Sequence, residues 1–156
     1  MDILGNQKKI KIKKYLPHCK PMLMVDIISE ISHEQVKTSF LIDAADVFVQ
    51  DNRFQEAGLI ENAAQTCSAI VGQTYFFDED QKEIKDANLL GFISSIKNLK
   101  IHQLPKVGDT IVTEAKLTSK FNTPAYSICT MTVVTFLGTI TLLNAEINLL
   151  LQKAVT

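Results

Sequence analysis

The sequence predicts an α+β domain in which an antiparallel sheet wraps one long central helix. Three observations carry this: a single long segment has helical period, segments with strand character lie on both sides of it, and no repeat or low-complexity linker interrupts the 156 residues. A chain of this length reads as one domain, residues 1–156.

The elements follow in order. Prolines at 17 and 21 exclude a long helix at the start, and the apolar run Met22 to Val25 predicts the beginning of a strand. Residues 26–33 and 36–42 are rich in β-branched side chains and predict two antiparallel strands turning near His33 and Glu34. Asp43 to Asp51 reads as a loop. Ile60, Ala63, Ala64, Cys67, Ile70 and Val71 then recur at intervals of three and four, predicting a helix over about Ala57 to Tyr75. Small or apolar residues on most of its faces suit a helix enclosed by other structure. Strand patterns return at 89–101, 110–119, 126–137 and 140–151, with turn residues at Pro105 to Asp109 and a hairpin at Gly138 and Thr139.

Composition narrows the function classes. With 46% hydrophobic and 21% charged residues the chain is an ordinary globular protein, and a net charge of −1 supplies no field for a nucleic-acid backbone. Lysines at 8, 9, 11, 13 and 14 and acidic residues at 78, 79, 80, 83 and 86 read as solvated surface. Cys19, Cys67 and Cys129 are an odd set without CxxC spacing, and no apolar signal core opens the chain, so a reducing cytoplasm is expected. No apolar stretch approaches the ~18 residues that span a bilayer, so no membrane partner is expected. Scattered His and Cys give no zinc spacing, and GxGxxG, P-loop and GxSxG patterns are missing, so neither metal nor cofactor is expected.

Four motifs then occur in one order. The run Leu16-Pro17-His18-Cys19-Lys20-Pro21-Met22-Leu23-Met24-Val25-Asp26 is similar to the LPHRxPFLLVD opening of FabZ-type dehydratases. Gly58 to Gln65, with Glu61 four residues before Gln65, resembles their ExxAQ central-helix motif. Leu104 to Asp109 matches their PVxPGD turn, and Asn144 to Ile147 stands where their last strand carries an AEA or AEM stretch. The chain thus resembles the β-hydroxyacyl-ACP dehydratases over residues 15 to 151. The resemblance implies a hotdog fold, an acyl-ACP or acyl-CoA thioester as substrate, and two protomers building the site at their interface. In that family a His in an HFPG motif takes the α proton while the helix Glu assists departure of the hydroxyl.

This chain departs from the family in one place. Between Asp43 and Gly58 it has no histidine and no HFPG, and Gly58 stands three residues before Glu61, where the family's glycine stands five before. The shortened entry is similar to dehydratase-like proteins of aryl polyene and flexirubin pathways. Glu61, an acid among apolar helix residues, is the expected general acid or base, because a buried carboxylate without partners is costly, with a structural hydrogen bond to the dimer mate or to a loop as the alternative. His18 is the candidate base of a rebuilt site, with a structural histidine at the first strand as the alternative. Gly58 and Gln65 are the expected substrate-contacting positions, Gln65 lying one helical turn beyond Glu61. His33, His102 and Cys67 read as surface, sheet and packing residues respectively.

The leading expectation is a 3-hydroxyacyl-ACP dehydratase of fatty acid or polyene-type biosynthesis. The alternatives are a half-site subunit completing a homodimer or heterodimer with another hotdog chain, and a thioesterase of the same fold. Small helix residues facing long apolar strands would leave a tunnel for an acyl chain, and the lysine-rich start could meet an acidic carrier protein.

Overall fold

The computed structural model describes residues 12, 15–76, 80, 82 and 89–153. The lysine run 8–14 falls outside these apart from its surroundings at Ile12, as does most of the acidic stretch 78–86.

Six strands form one antiparallel sheet: β1 (Ile27–Ile31), β2 (Gln35–Leu41), β5 (Leu89–Ile101), β6 (Thr110–Asn122), β7 (Tyr126–Leu137) and β8 (Ile140–Lys153). Their spatial order is β1-β2-β6-β7-β8-β5. Between β2 and β5 the chain makes a two-stranded ribbon, β3 (Val49–Gln50) with β4 (Arg53–Phe54), and then the helix α1 (Glu56–Phe76). The strands predicted from residue 26 onward and the helix are therefore present, with β1 shortened, β2 shifted by one residue, and α1, β6 and β8 extended.

Strand periodicity explains which face meets the helix. In β2, Val36, Thr38 and Phe40 are buried while their neighbours are not, and in β6 the same holds for Ile111, Thr113 and Ala115. In β7 the buried set is Ser127, Cys129, Met131, Val133 and Thr135. These inward faces wrap α1, whose Leu59, Ala63, Cys67, Ala69, Ile70 and Val71 are all buried. A helix covered on nearly every side needs small side chains, since each bulky one would push the sheet away. Its open stripe is narrow and includes Glu61 and Ser68, which are half-buried.

Two expectations need correction. Met22 to Val25 does not begin a strand: residues 16–26 form an irregular strap, and β1 starts at Ile27. Met24 and Val25 are buried all the same, at 0% and 1% exposure, so their apolar run reports burial and not extended pairing. The predicted loop 43–51 contains β3, and its return through Asp51 and Asn52, at φ 51° and 62°, has the left-handed pair that a two-residue hairpin turn requires.

Phe54 of β4 is fully buried and packs on Phe40 with ring centroids 5.7 Å apart. It also decides the residue that opens α1. A Cβ on Gly58 would lie 2.6 Å from the Phe54 ring and 2.8 Å from Phe48 Cβ, so only glycine lets the ribbon close on the first helical turn.

Among the described residues β5 is the last strand of the sheet and pairs on one side only, with β8. Leu90, Phe92, Ile93 and Leu99 on it are exposed at 47%, 53%, 40% and 39%. A long apolar edge of this kind is a place where another chain can add its own strand. No described helix is long and apolar enough to cross a membrane.

Candidate active site

The open stripe of α1 faces a cavity of about 320 Å³. Glu61, Ala64, Gln65, Ser68 and Gly72 form its helical wall, and Gly91, Phe92 and Ile93 of β5 with Leu149 and Leu151 of β8 form the wall opposite. The strap supplies Tyr15, Pro17 and His18. From Glu61 to Gly72 the helix rises about 16 Å at 1.5 Å per residue, so the cavity runs along three helical turns. Its polar groups gather at the Glu61 end, and the rest of its wall is small or apolar.

Gln65 orders that polar end. Its Oε1 accepts the Met24 backbone N–H at 2.7 Å, while Nε2 donates to Met22 O at 2.7 Å and to Glu61 Oε1 at 2.8 Å. An amide nitrogen has two protons, so both are committed. Gln65 lines the cavity, as the sequence led us to expect, but it offers no remaining N–H to a ligand. One carboxylate oxygen of Glu61 is thereby held in place.

His18 is brought to the same cavity by the strap. Its Nδ1 is buried and has no hydrogen-bond partner among the described residues. Burial pushes its pKa below the ordinary 6.5, and the charge of Glu61 opposes that shift. Near neutral pH the ring is therefore uncharged, with one nitrogen protonated and the other carrying a lone pair.

Gly58 stands apart: it does not line the cavity, and its buried position against Phe54 and Phe48 accounts for it by packing. His33 is exposed in the β1–β2 turn, and His102 Nε2 pairs with Asn144 Oδ1 at 2.8 Å on the surface. Cys67 is fully buried, and burial pushes its thiol up to about 12, so no thiolate is present near neutrality. Cys129 is also raised by burial. Among the described residues no group of three His, Cys, Asp or Glu side chains could hold a metal ion.

Beneath the site lies a polar cluster that sequence reasoning missed. Asn62 Nδ2 donates to Met24 O at 2.7 Å, Thr113 Oγ1 donates to Asn62 Oδ1 at 2.7 Å, and Thr113 meets Thr135 at 2.9 Å. One turn on, Thr66 and Thr38 share a hydrogen bond of 2.8 Å. The available signal was the set of threonines at core-facing strand positions 38, 113 and 135, where aliphatic residues would otherwise stand.

Among the described residues, one sheet around one helix, with a carboxylate and an imidazole lining an apolar cavity, defines a hotdog protein. The match to a family model over residues 10–150 makes it specific: this chain belongs to the ApeP-like family, described as ApeP dehydratase. Among solved structures it is similar to a chain of the dehydratase heterocomplex ApeI:P from Xenorhabdus doucetiae, at TM-score 0.71 and 15% identity, covering 94% of this chain and 93% of that one. A sigma28-regulated virulence protein from Campylobacter jejuni matches at TM-score 0.60 and 17% identity, over 85% and 79% of the two chains. A hypothetical thioesterase with coenzyme A from Streptococcus pneumoniae matches at TM-score 0.53 and 7% identity, over 83% and 87%. At these identities the structural likeness shows the fold alone. A search of curated protein sequences gives no match.

Proposed function

We propose that this chain dehydrates a 3-hydroxyacyl group held as a thioester on a carrier protein or coenzyme A, with Glu61 and His18 as the reacting pair. The observation that carries the reading is the meeting of an oriented carboxylate and an uncharged, unpartnered imidazole in one apolar cavity. The neutral His18 ring takes the proton from C2 of the substrate, and the electrons of that C–H bond form the C2–C3 double bond as the C3–O bond breaks. The hydroxyl leaves as water with the same proton, passed on through Glu61, so the net change is the loss of one water. The acyl tail lies along Ala64, Ser68 and Gly72, where Ser68 Oγ turns back to Gln65 O at 2.8 Å and leaves an apolar surface.

A second subunit is part of the proposal. Phe92 and Ile93 line the cavity and are also exposed on the free edge of β5, so a strand added there closes the cavity. The relative from Xenorhabdus doucetiae is a heterocomplex, and this favours a hotdog partner that is either a second copy or a different chain. A different chain could restore the histidine missing between Asp43 and Gly58. We place it in polyene-type biosynthesis on the strength of the family, and the free cysteines favour a cytoplasmic setting.

The test is incubation with 3-hydroxyacyl-ACP and detection of the 2-enoyl product. We expect Glu61→Gln to lower turnover by about 10²- to 10⁴-fold, the usual worth of an acid or base group. Unchanged turnover would remove Glu61 from the mechanism. Activity that appears only with a second hotdog subunit marks a half-site protein, and release of free thiol without dehydration marks a thioesterase.

A further inference from the structure

The strap that carries His18 lacks a sheet of its own, yet Met24 within it is fully buried. Buried backbone groups need partners, and here both come from helix side chains. Gln65 accepts the Met24 N–H, and Asn62 donates to the Met24 carbonyl. Asn62 is 1% exposed and is absent from the cavity wall, because one residue past Glu61 turns the side chain by about 100° around the helix.

A hydroxyl has one proton, and the proton of Thr113 goes to Asn62 Oδ1. In the 2.9 Å contact between the two threonines, Thr135 must therefore donate to Thr113. The result is a chain with one direction, from Thr135 to Thr113 to Asn62 to Met24. The Met24 carbonyl can only accept, so it sets the Asn62 amide with Nδ2 toward the strap, and Thr113 then satisfies the Oδ1 that faces the sheet. The two sheet strands thus brace the outer end of a helix side chain that ties down the segment six residues beyond His18.

We propose that Asn62 is a positioning residue: through Met24 it fixes the strap that presents His18 to Glu61, and the core-facing hydroxyls of Thr113 and Thr135 hold its amide for that purpose. The inference rests on the reading of His18 and Glu61 as the reacting pair, although its measurement does not require turnover.

The test uses the full chain with ¹⁵N-labelled histidine and amides. Asn62→Leu, Thr113→Val and Thr135→Val together replace the polar chain by apolar groups of similar shape and leave only the Met24 carbonyl, of the groups in that chain, without its partner. The expected result is a folded protein in which the Met24 amide exchanges about tenfold faster, the effect of losing one hydrogen bond from the strap. The His18 titration should also move up toward 6.5, as the ring leaves Glu61 and Tyr15, the titratable groups that face it, for water. A folded triple variant with both the wild-type Met24 exchange and the wild-type His18 titration overturns the proposal. If the triple variant fails to fold, Asn62→Leu alone removes the donor to the Met24 carbonyl, and unchanged exchange at Met24 then overturns it equally. A wild type inactive both alone and with a hotdog partner subunit, with these shifts present, would refute the dehydratase reading and leave the positioning role standing.

Discussion

Replacing Gln65 by methionine keeps an unbranched side chain of the same length and removes three hydrogen bonds at once. The Met24 N–H lies beside a residue with 0% exposure and is left without an acceptor, which costs about 1–3 kcal/mol. Met22 is 43% exposed, so its carbonyl regains water and the loss there is about 0.5–1 kcal/mol. The Glu61 link is half-buried and adds about 1 kcal/mol after screening. The variant should therefore be less stable by about 3 kcal/mol. For a domain of this size that lowers the melting temperature by roughly 6–12 °C. Thermal unfolding followed by circular dichroism, with urea unfolding to check that the slope is unchanged, gives the number directly. A Gln65→Met protein that melts within about 2 °C of the wild type would refute the picture of Gln65 as the clamp between strap and helix.

Gly58→Ala should destabilise the fold by about 1–3 kcal/mol despite the better helix propensity of alanine, because its Cβ would enter the Phe54 ring; equilibrium unfolding checks this, and a gain in stability would mean the ribbon moves freely. The pKa of His18 is lower folded than unfolded, so between its folded value and 6.5 the unfolded chain binds more protons and stability rises with pH. The contribution is whole above pH 6.5 and is lost as pH falls through the folded value. Subtracting the stability profile of His18→Asn from that of the wild type should isolate this acid-side loss, and parallel profiles would contradict the buried, neutral ring.

The sheet and helix were legible because their periods are strong: small residues at three- and four-residue spacing for α1, alternation for β2, β6 and β7. Glu61 was legible as an acid in an apolar pattern, and His18 through its motif. The strap was misread because an apolar run such as Met22 to Val25 looks the same whether its backbone pairs with a strand or with side chains. That distinction depends on Asn62 and Gln65, which lie some 40 residues away and whose contacts no local pattern reveals. Gly58 was expected at the substrate because of its place before Glu61, whereas its use is to admit Phe54, a long-range contact that spacing does not encode.

The cavity also separates two properties along a single rod. Acid and imidazole stand at one end of it, while Ser68 and Gly72 sit two and three helical turns beyond Glu61. On the proposed function, mutational drift at the far end would retune which tail lengths are accepted and leave Glu61 and His18 undisturbed. A lineage of such proteins could diversify its products by changing two small side chains, with no need to reinvent the chemistry.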